Sequence, residues 1–317
     1  MSEPKKYPIK LSVLLVCYNQ EKYIEQAVRS VLMQETDFDF EIVIGEDCSK
    51  DRTPQIVRRL AAENPGKIRA FCREKNLGMH DNHRATYWEC RGQYIALLEG
   101  DDFWTDPRKL QKQVEFLEQH PECALCYHNV LIFDEHTNEE AFYCRPHQPT
   151  ITETNDILQE IFVNTASVVM RNNLFPNFLE TGKDLMMGDW SYYIWLSTFG
   201  KLGYIPEIMA CYRQHRDGTW MSADVGARIH NVVKMYEQFD EFFEGKYHDA
   251  IQILKARYTA YYEMDGSRRK WKARAEKAEA RVEELERSRR VLKMRQKEME
   301  KELRELRSKS GATAAAR

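Results

Sequence analysis

Apolar runs separated by amphipathic stretches fill the first hundred residues and constrain the fold most strongly. The runs at residues 11–17, 40–45, 68–72 and 94–98 are typical of strands that a parallel sheet buries on both faces. The stretches between them, at residues 21–34, 53–62 and 79–89, are typical of helices. This alternation predicts an α/β fold with a mostly parallel central sheet flanked by helices.

Polar residues follow each of these predicted strands. In chain order they are Tyr18 and Asn19, Glu46 and Asp47, residues 76–78, and residues 99–102. Right-handed crossovers bring the carboxyl ends of parallel strands to one edge of a sheet, which is where open α/β sheets bind ligands. We therefore expect the four polar segments to converge on one site.

The most acidic of these segments is Leu-Leu-Glu-Gly-Asp-Asp-Phe-Trp at residues 97–104. Its carboxylates, Glu99, Asp101 and Asp102, repel one another unless a cation lies among them. Mg²⁺ and Mn²⁺ favour oxygen ligands of this kind and often bridge to phosphates. The segment predicts a metal site that holds a nucleoside diphosphate. The alternative is an acidic turn, because Gly-Asp-Asp also suits a turn.

Composition excludes several classes of protein. The 317 residues carry a net charge of −3, which disfavours a nucleic-acid surface. No apolar run approaches the ~20 residues of a membrane span, and the N-terminus lacks the apolar region of a signal peptide. The eight cysteines are scattered. The pair Cys123 and Cys126 fits two strand residues better than a zinc or redox site, so we expect a reducing, cytoplasmic compartment.

The remainder of the chain divides into a mixed part and a helical part. Helices are predicted at residues 107–120, 156–162 and 189–199, and strands at 124–133, 167–170 and 205–212. From residue 225 the pattern is helical, with a break near residues 245–246. The predicted organisation is a first domain over residues 1–220 and a helical hairpin over residues 221–265.

Residues 266–308 change to a composition of Glu, Arg, Lys, Ala and Leu. A seam of Trp271, Ala278, Leu285, Leu292, Met299 and Leu306 keeps a heptad phase. This seam predicts a coiled coil that makes the protein a homo-oligomer, although a single solvated helix with Glu-to-Lys/Arg pairs is the alternative. Residues 309–317 are predicted to be a disordered tail.

Together, the motifs resemble those of the family 2 glycosyltransferases, which have the GT-A fold, a Rossmann-like sheet flanked by helices. They are Ser-Val-Leu-Leu-Val-Cys-Tyr-Asn at residues 12–19, Gly-Glu-Asp-Cys-Ser-Lys-Asp-Arg-Thr at residues 45–53, Asn-Leu-Gly at residues 76–78, and the acidic segment. Each motif is loose alone, but their order and spacing are specific. The resemblance runs from about residue 9 to residue 216.

The resemblance implies a role for each matching residue. Asp47 matches the aspartate that hydrogen-bonds the base, which suits uracil or thymine, and Tyr18 matches the tyrosine that packs near the base. The implied nucleotide-binding residues are Val16, Tyr18, Asn19, Asp47, Asn76 and Asp101. The family's DxD motif, which binds ribose and metal, reads Glu99-Gly-Asp101-Asp102 here, with Glu99 in place of the usual first aspartate. The resemblance implies that Asp101 binds the ribose and Mn²⁺ or Mg²⁺, and that Asp102 binds the metal.

Two further residues match in the second half of the chain. Asp189, in Met-Gly-Asp-Trp at residues 187–190, matches the family's catalytic base, although a carboxylate at a helix start is also a common N-cap. His215, in Tyr-Arg-Gln-His at residues 212–215, matches a strand-end motif whose histidine or arginine reaches the metal or the diphosphate.

The implied activity is inverting transfer of a sugar from a UDP- or dTDP-sugar to a hydroxyl of a glycan, a lipid-linked or a protein acceptor. Such an enzyme would act in bacterial surface polysaccharide or glycoconjugate synthesis, in the cytoplasm or at the inner membrane face. One alternative is a metal-dependent nucleotidyltransferase, but the segment after the first strand lacks a Gly-rich basic loop. The other is an inactive sugar-nucleotide-binding scaffold organised by its coiled coil.

Overall fold

The computed structural model describes residues 7–174, 188–215 and 225–263. Its strands are β1 (Ile9–Cys17), β2 (Phe40–Glu46), β3 (Ile68–Cys72), β4 (Gly92–Glu99), β5 (Phe103–Trp104), β6 (Cys123–Asp134), β7 (Glu140–Phe142), β8 (Ile151–Thr152), β9 (Val169–Arg171) and β10 (Lys201–Gln214). Its α-helices are α1 (Ile24–Leu32), α2 (Thr53–Glu63), α3 (Met79–Tyr87), α4 (Lys109–Gln119), α5 (Thr154–Gln159), α6 (Gly188–Leu196), α7 (Val225–Phe242) and α8 (His248–Glu263).

All the described strands belong to one sheet, in the order β3-β2-β1-β4-β9-β6-β10-β5. The strands β3, β2, β1 and β4 run parallel, and β10 runs parallel to β6. The strand β9 is antiparallel to both β4 and β6. The expected mostly parallel sheet flanked by helices is therefore confirmed.

The apolar run of β1 is continuous from Val13 to Cys17 because helices cover both faces of the sheet. Leu11, Val13 and Leu15 face a buried cluster that contains side chains of α1, α2 and α4. Leu14, between them, faces a second cluster with side chains of α3, α5, α6, α7 and α8. Successive side chains of a strand point to opposite faces, so burial on both sides removes the polar alternation of a half-exposed strand.

The last strand is longer than its predicted span of residues 205–212. β10 begins at Lys201 and pairs with β6 to the end of both strands, with register shifts after Lys201 and between Ile205 and Ala210. Pro206 lies within the shifted part and has no N–H to give to the ladder. This proline conceals the first part of the strand from a pattern-based prediction. The extended pairing carries residues 213–215 to the edge of the sheet where β4 ends.

Several predictions lie wholly or partly outside the described residues. The coiled coil over residues 266–308 and the tail over residues 309–317 are outside them. The range 221–265, predicted as a helical hairpin, contains α7 and α8, and its boundaries stay a prediction. Among the helices that the structure describes, none combines the length and apolar character needed to cross a membrane.

Candidate active site

The carboxyl ends of three neighbouring strands form the floor of the candidate site. The sheet register places Cys17 beside Glu46 and Val16 beside Glu99. The loops that leave these strands are tied together by their backbones: Asp47 N–H donates to the carbonyl of Cys17 at 3.0 Å, and Gly100 N–H donates to that of Val16 at 2.9 Å. The parallel register therefore brings the polar segments after β1, β2 and β4 together.

The segment after β1 is exposed and shaped by Asn19. Tyr18 is 41% exposed. Asn19 has a positive φ of 53°, a conformation that asparagine tolerates better than most residues. Its N–H donates to Ser49 Oγ at 2.9 Å, and its side-chain oxygen accepts from Lys50 N–H at 2.9 Å. Asn19 thus joins the loop after β1 to the loop after β2 and leaves the Tyr18 ring at the surface.

Asp47 organises the loop after β3. Its two carboxylate oxygens accept the backbone N–H groups of Leu77 at 2.7 Å and Gly78 at 2.9 Å, and the Asn76 amide donates to its carbonyl at 3.0 Å. Asp47 is only 3% exposed. A carboxylate oxygen can accept a second hydrogen bond, so a base that reaches Asp47 shares it with this loop. Recognition of the base by Asp47 stays a prediction. The structure adds that Asp47 also holds the loop after β3 in place.

Glu99, Asp101 and Asp102 form a compact acidic group. Each offers an oxygen, and these oxygens lie within 4.8 Å of one another. Burial, together with the carboxylates of Asp101 and Asp189, raises the pKa of Glu99 to about 8. Burial also raises the pKa of Asp102 well above its usual range, and the charges of Asp101 and Glu99 add to this. A divalent cation would relieve this repulsion.

Asp102 shows most clearly where a cation fits. It is 1% exposed, and its Oδ1 accepts the backbone N–H of Arg213 at 2.9 Å. Its Oδ2 is buried and has no hydrogen-bond partner among the residues the structure describes. A buried carboxylate oxygen without a partner is costly, and a metal ion is a usual means of satisfying it. Carboxylate oxygens are also the ligands that Mg²⁺ and Mn²⁺ favour.

The end of β10 closes the acidic group on one side. His215 Nε2 lies 3.0 Å from Asp101 Oδ2, and its ring packs against Tyr23 with 4.9 Å between centroids. The Arg213 side chain turns to Glu135, with 3.0 Å between Nε and Oε1. The two basic residues near the end of β10 therefore have different partners. The His215 ring contacts Asp101 of the acidic group, and the Arg213 side chain pairs with Glu135 outside it.

Asp189 lies in the first turn of α6, and its Oδ1 accepts its neighbour's N–H, that of Trp190, at 2.7 Å. Although it is exposed to solvent, the protein atoms crowded around it raise its pKa, against smaller lowering effects of backbone N–H donors, first that of Trp190, and then of His80. Its charge contributes to the raised pKa of Glu99. The predicted base therefore lies within electrostatic reach of the acidic group.

Some residues near the site were not singled out from the sequence. A Cβ on Gly188 would lie 3.0 Å from the His80 ring, which places the start of α3 against the start of α6. Tyr143 and Tyr193 have pKa values raised first by burial and then by the charge of Asp189. Tyr23 supports the His215 ring. None of these residues carries a pattern that marks it, because each reaches the site through tertiary packing.

Comparison with known proteins identifies the family. The model of glycosyl transferase family 2 matches residues 12–175, which include the three strand ends and the acidic group. The chain belongs to glycosyltransferase family 2. An uncharacterized protein of Mycobacterium tuberculosis is 36% identical to this glycosyltransferase over 252 residues, 78% of this chain and 67% of the relative.

A second relative has a more specific name. A Bacillus subtilis protein named for teichuronic acid biosynthesis, TuaG, is 29% identical over 161 residues, 50% of this chain and 61% of the relative.

Two solved structures share the fold of this glycosyltransferase. Staphylococcus aureus TarS 1-349 in complex with UDP-GlcNAc superposes with a TM-score of 0.55 at 17% identity, covering 72% of this chain and 66% of that one. The mannosyltransferase PcManGT from Pyrobaculum calidifontis, in complex with GDP-Man and Mn²⁺, gives 0.54 at 15% identity, covering 88% and 84%. These likenesses confirm the predicted GT-A fold.

Proposed function

We propose that this glycosyltransferase moves a sugar from a nucleotide-diphospho-sugar to an acceptor hydroxyl with inversion at the anomeric carbon. The observation that carries the proposal is the acidic group of Glu99, Asp101 and Asp102 at the carboxyl edge of the sheet, within electrostatic reach of Asp189. The acidic group suits a metal ion and a diphosphate, and Asp189 suits removal of a proton from the acceptor.

Asp101 and Asp102 are the proposed ligands of Mn²⁺ or Mg²⁺. The buried Oδ2 of Asp102, which has no partner among the described residues, and the crowding of three carboxylates fit a divalent cation. Glu99 and His215 are further candidate ligands. When bound, the cation would act as a Lewis acid that neutralises the negative charge growing on the departing diphosphate.

Asp189 is the proposed general base. In an inverting transfer, the acceptor hydroxyl attacks the anomeric carbon from the face opposite the diphosphate, and the hydroxyl proton must leave. The carboxylate of Asp189 takes this proton. Because crowding raises its pKa above the usual range for aspartate, it is a stronger base than an ordinary surface carboxylate.

The loops after β1, β2 and β3 are proposed to hold the nucleotide. The proposed contacts are Val16, Tyr18, Asn19, Asp47 and Asn76, with Asp101 at the ribose. The exposed Tyr18 ring offers a face for a base, and the hydrogen bonds of Asn19 and Asp47 hold the loops in place before the donor arrives. Uridine and thymidine diphospho-sugars are the proposed donors, since an Asp47 oxygen can accept their ring N–H.

The proposed acceptor is a surface polysaccharide or another glycoconjugate, reached in the cytoplasm or at the inner membrane face. The teichuronic acid name of one relative supports a polysaccharide. A glycan, a lipid-linked sugar and a protein all offer the hydroxyl that the chemistry needs, and the donor side of the site does not distinguish them.

A donor-hydrolysis assay tests the proposal. The full-length chain is incubated with UDP-, dTDP- and GDP-sugars, with Mn²⁺, with Mg²⁺ or with EDTA, and release of nucleoside diphosphate is measured. We expect metal-dependent release from a uridine or thymidine donor and its loss in Asp102→Asn. The matched control is Asp106→Asn, because Asp106 pairs with Lys112 at 2.7 Å outside the acidic group. Full activity of Asp102→Asn in EDTA would contradict the proposed metal site.

The same assay, repeated with a nucleoside triphosphate and a sugar phosphate, separates the two alternatives. A nucleotidyltransferase would release pyrophosphate from a nucleoside triphosphate and a sugar phosphate, and would not release nucleoside diphosphate from a sugar donor. An inactive scaffold would bind the donor and release neither product.

The predicted coiled coil over residues 266–308 is a separate proposal. It rests on the heptad seam of the sequence and proposes that the protein is a homo-oligomer. A chain cut after Gly266 should still hydrolyse the donor, and light scattering should show that it is a monomer whereas the full-length chain is an oligomer. The same number of chains per particle before and after the cut would favour the single solvated helix.

A further inference from the structure

Arg213 connects the acidic group to three other parts of the fold. It lies near the end of β10 and is 8% exposed. Its backbone N–H donates to Asp102 Oδ1 at 2.9 Å, and one terminal nitrogen of its guanidinium donates to the carbonyl of Asp101. The other terminal nitrogen donates to Gln26 Oε1 at 2.8 Å. One residue therefore holds both aspartates of the proposed metal site, through its main chain and through its side chain.

The charge of Arg213 is matched within the protein. Its Nε lies 3.0 Å from Glu135 Oε1, and the other oxygen of Glu135 accepts from Tyr23 Oη at 2.8 Å. The guanidinium lies between the rings of Tyr23 and Phe103, 4.8 Å and 4.9 Å from their centroids. All three guanidinium nitrogens thus have partners in the protein, whereas an arginine that binds a donor phosphate turns its paired N–H groups toward the ligand.

We propose that Arg213 is a positioning residue that holds Asp101 and Asp102 in the geometry that binds the metal, without contacting the donor. This inference rests on the proposed metal site at these two aspartates. It extends that proposal, because a residue that is not itself a metal ligand fixes the positions of Asp101 and Asp102.

The contacts of Arg213 hold the two aspartates of the acidic group in place. Carboxylates this close repel one another, and an unanchored turn would spread them apart. The Arg213 N–H occupies Oδ1 of Asp102, so Oδ2 remains as the oxygen directed to a cation. The contact between the guanidinium and the Asp101 carbonyl fixes the backbone that carries the second ligand.

Lysine cannot replace this arginine. The guanidinium reaches Asp101, Gln26 and Glu135 at once because its donors spread in a rigid plane. A lysine ammonium is a single point on a flexible stem and cannot span the same partners. Lysine and glutamine at this position both keep the backbone N–H that binds Asp102, so the two variants isolate the contribution of the side chain.

The experiment measures Mn²⁺ affinity by calorimetry on the full chain without donor, beside the melting temperature of each variant. We expect Arg213→Gln and Arg213→Lys to weaken Mn²⁺ binding about tenfold to a hundredfold, as loss of outer-shell partners of metal ligands typically does. Tyr23→Phe removes only the hydroxyl that holds Glu135, so it should fold normally and weaken binding in the same direction, but less.

Arg171 provides a matched control. It also ties backbone carbonyls together, donating to Cys123 at 2.9 Å and to Leu117 at 2.6 Å, but it pairs with Tyr94 near the start of β4, at the other end from Glu99. Arg171→Gln should lower the melting temperature and leave the Mn²⁺ dissociation constant within about twofold of the original chain, since loss of metal affinity requires a partner of the ligands.

The outcomes separate this inference from the proposal beneath it. Wild-type Mn²⁺ affinity in Arg213→Gln, or an equal loss in Arg171→Gln, would overturn the positioning role while leaving the metal site intact. Lower donor affinity of Arg213→Gln in EDTA, with unchanged Mn²⁺ affinity, would make Arg213 a phosphate ligand and also overturn it. Unchanged Mn²⁺ affinity in Asp102→Asn would instead refute the metal site itself.

Discussion

His215 Nε2 and Asp101 Oδ2 lie 3.0 Å apart, although 114 positions separate the two residues in the chain. Without a metal this separation is that of a hydrogen bond. A histidine nitrogen and a carboxylate oxygen this close together could also hold one cation between them. The His215 ring packs against Tyr23, which supports the imidazole beside Asp101. The contact between His215 and Asp101 supports the proposal that the two residues share a cation.

His215→Ala should change the preference between metals. Imidazole is a better ligand for Mn²⁺ than for Mg²⁺, so we expect a larger loss of Mn²⁺ affinity, about tenfold, than of Mg²⁺ affinity. Titration calorimetry with each ion measures both values. The control is His120→Ala, because His120 pairs with Glu122 at 3.1 Å outside the acidic group. Equal losses for both ions would mean that His215 only orients Asp101.

Asp189→Asn should abolish transfer and keep the donor. Asparagine retains the oxygen that accepts from Trp190 N–H but cannot take a proton, so kcat should fall about a hundredfold to ten-thousandfold. Because the Asp189 pKa is raised, the acid limb of the pH–rate profile of the unmodified enzyme should lie above the usual range for aspartate. If Asp189→Asn binds the donor more weakly but still turns over, Asp189 is not the base.

The sequence predicted the parallel half of the sheet because its evidence is local. In β1 the run from Val13 to Cys17 is apolar at every position, and Leu14 and Leu15 show the same character although they face different clusters. The strand ends could be placed at one edge by handedness alone. The acidic group was predicted in the same way, since Glu99, Asp101 and Asp102 are adjacent in the chain.

The supporting structure could not be predicted, because it depends on distant pairings. Arg213 reaches the Asp101 carbonyl only because β10 pairs with β5, and the two residues are 112 positions apart. Glu135 and Tyr23 join the same network from the end of β6 and the turn before α1. Surface-type residues such as these carry no periodicity that marks them. Their role follows from a register that the sequence pattern does not specify.

Gly100→Ala should weaken metal binding by displacing the acidic segment. A Cβ at this position would lie 2.7 Å from Cys17 Cβ and 2.4 Å from Gln20 Oε1. The glutamine side chain can move, but Cys17 belongs to a central strand, so the segment between Glu99 and Asp101 must shift. Overpacking of this kind costs about 1–3 kcal/mol of the free energy of unfolding. We expect Mn²⁺ affinity to fall with it.

Gly203→Ala is the matched control for this overpacking. Its added Cβ would lie 2.1 Å from the Phe116 ring, in the part of β10 remote from residues 213–215. It should lower the free energy of unfolding in chemical denaturation and leave Mn²⁺ affinity unchanged. If both alanine variants lose the same metal affinity, the effect of Gly100→Ala is one of general stability and not of position.

Lys109 is a buried cation close behind the acidic segment. It is fully buried, and its Nζ lies 4.0 Å above the ring of Trp104 and has no hydrogen-bond partner among the described residues. Burial lowers the pKa of Lys109 to about 7. In the unfolded chain the same amine has a pKa near its ordinary value, about 10.4. Between these two values the unfolded chain binds a proton that the folded chain lacks, so this residue makes the free energy of unfolding rise with pH.

Lys109→Met should therefore stabilise the protein most at low pH. Below pH 7 the lysine is charged in both states and the cost of burying that charge is complete, while methionine fills the space without charge. Urea denaturation at pH 6 should show a gain of roughly 1–4 kcal/mol, the range found when buried ionic groups are replaced by apolar ones. The gain should shrink as pH rises from 7 to 9, because the folded lysine becomes neutral. Taking the difference between the free energies of unfolding of the two proteins removes the contributions of the other titrating groups, which both proteins share. A gain that stays constant over this range would mean that Lys109 stays charged in the folded protein, as a hydrated lysine would.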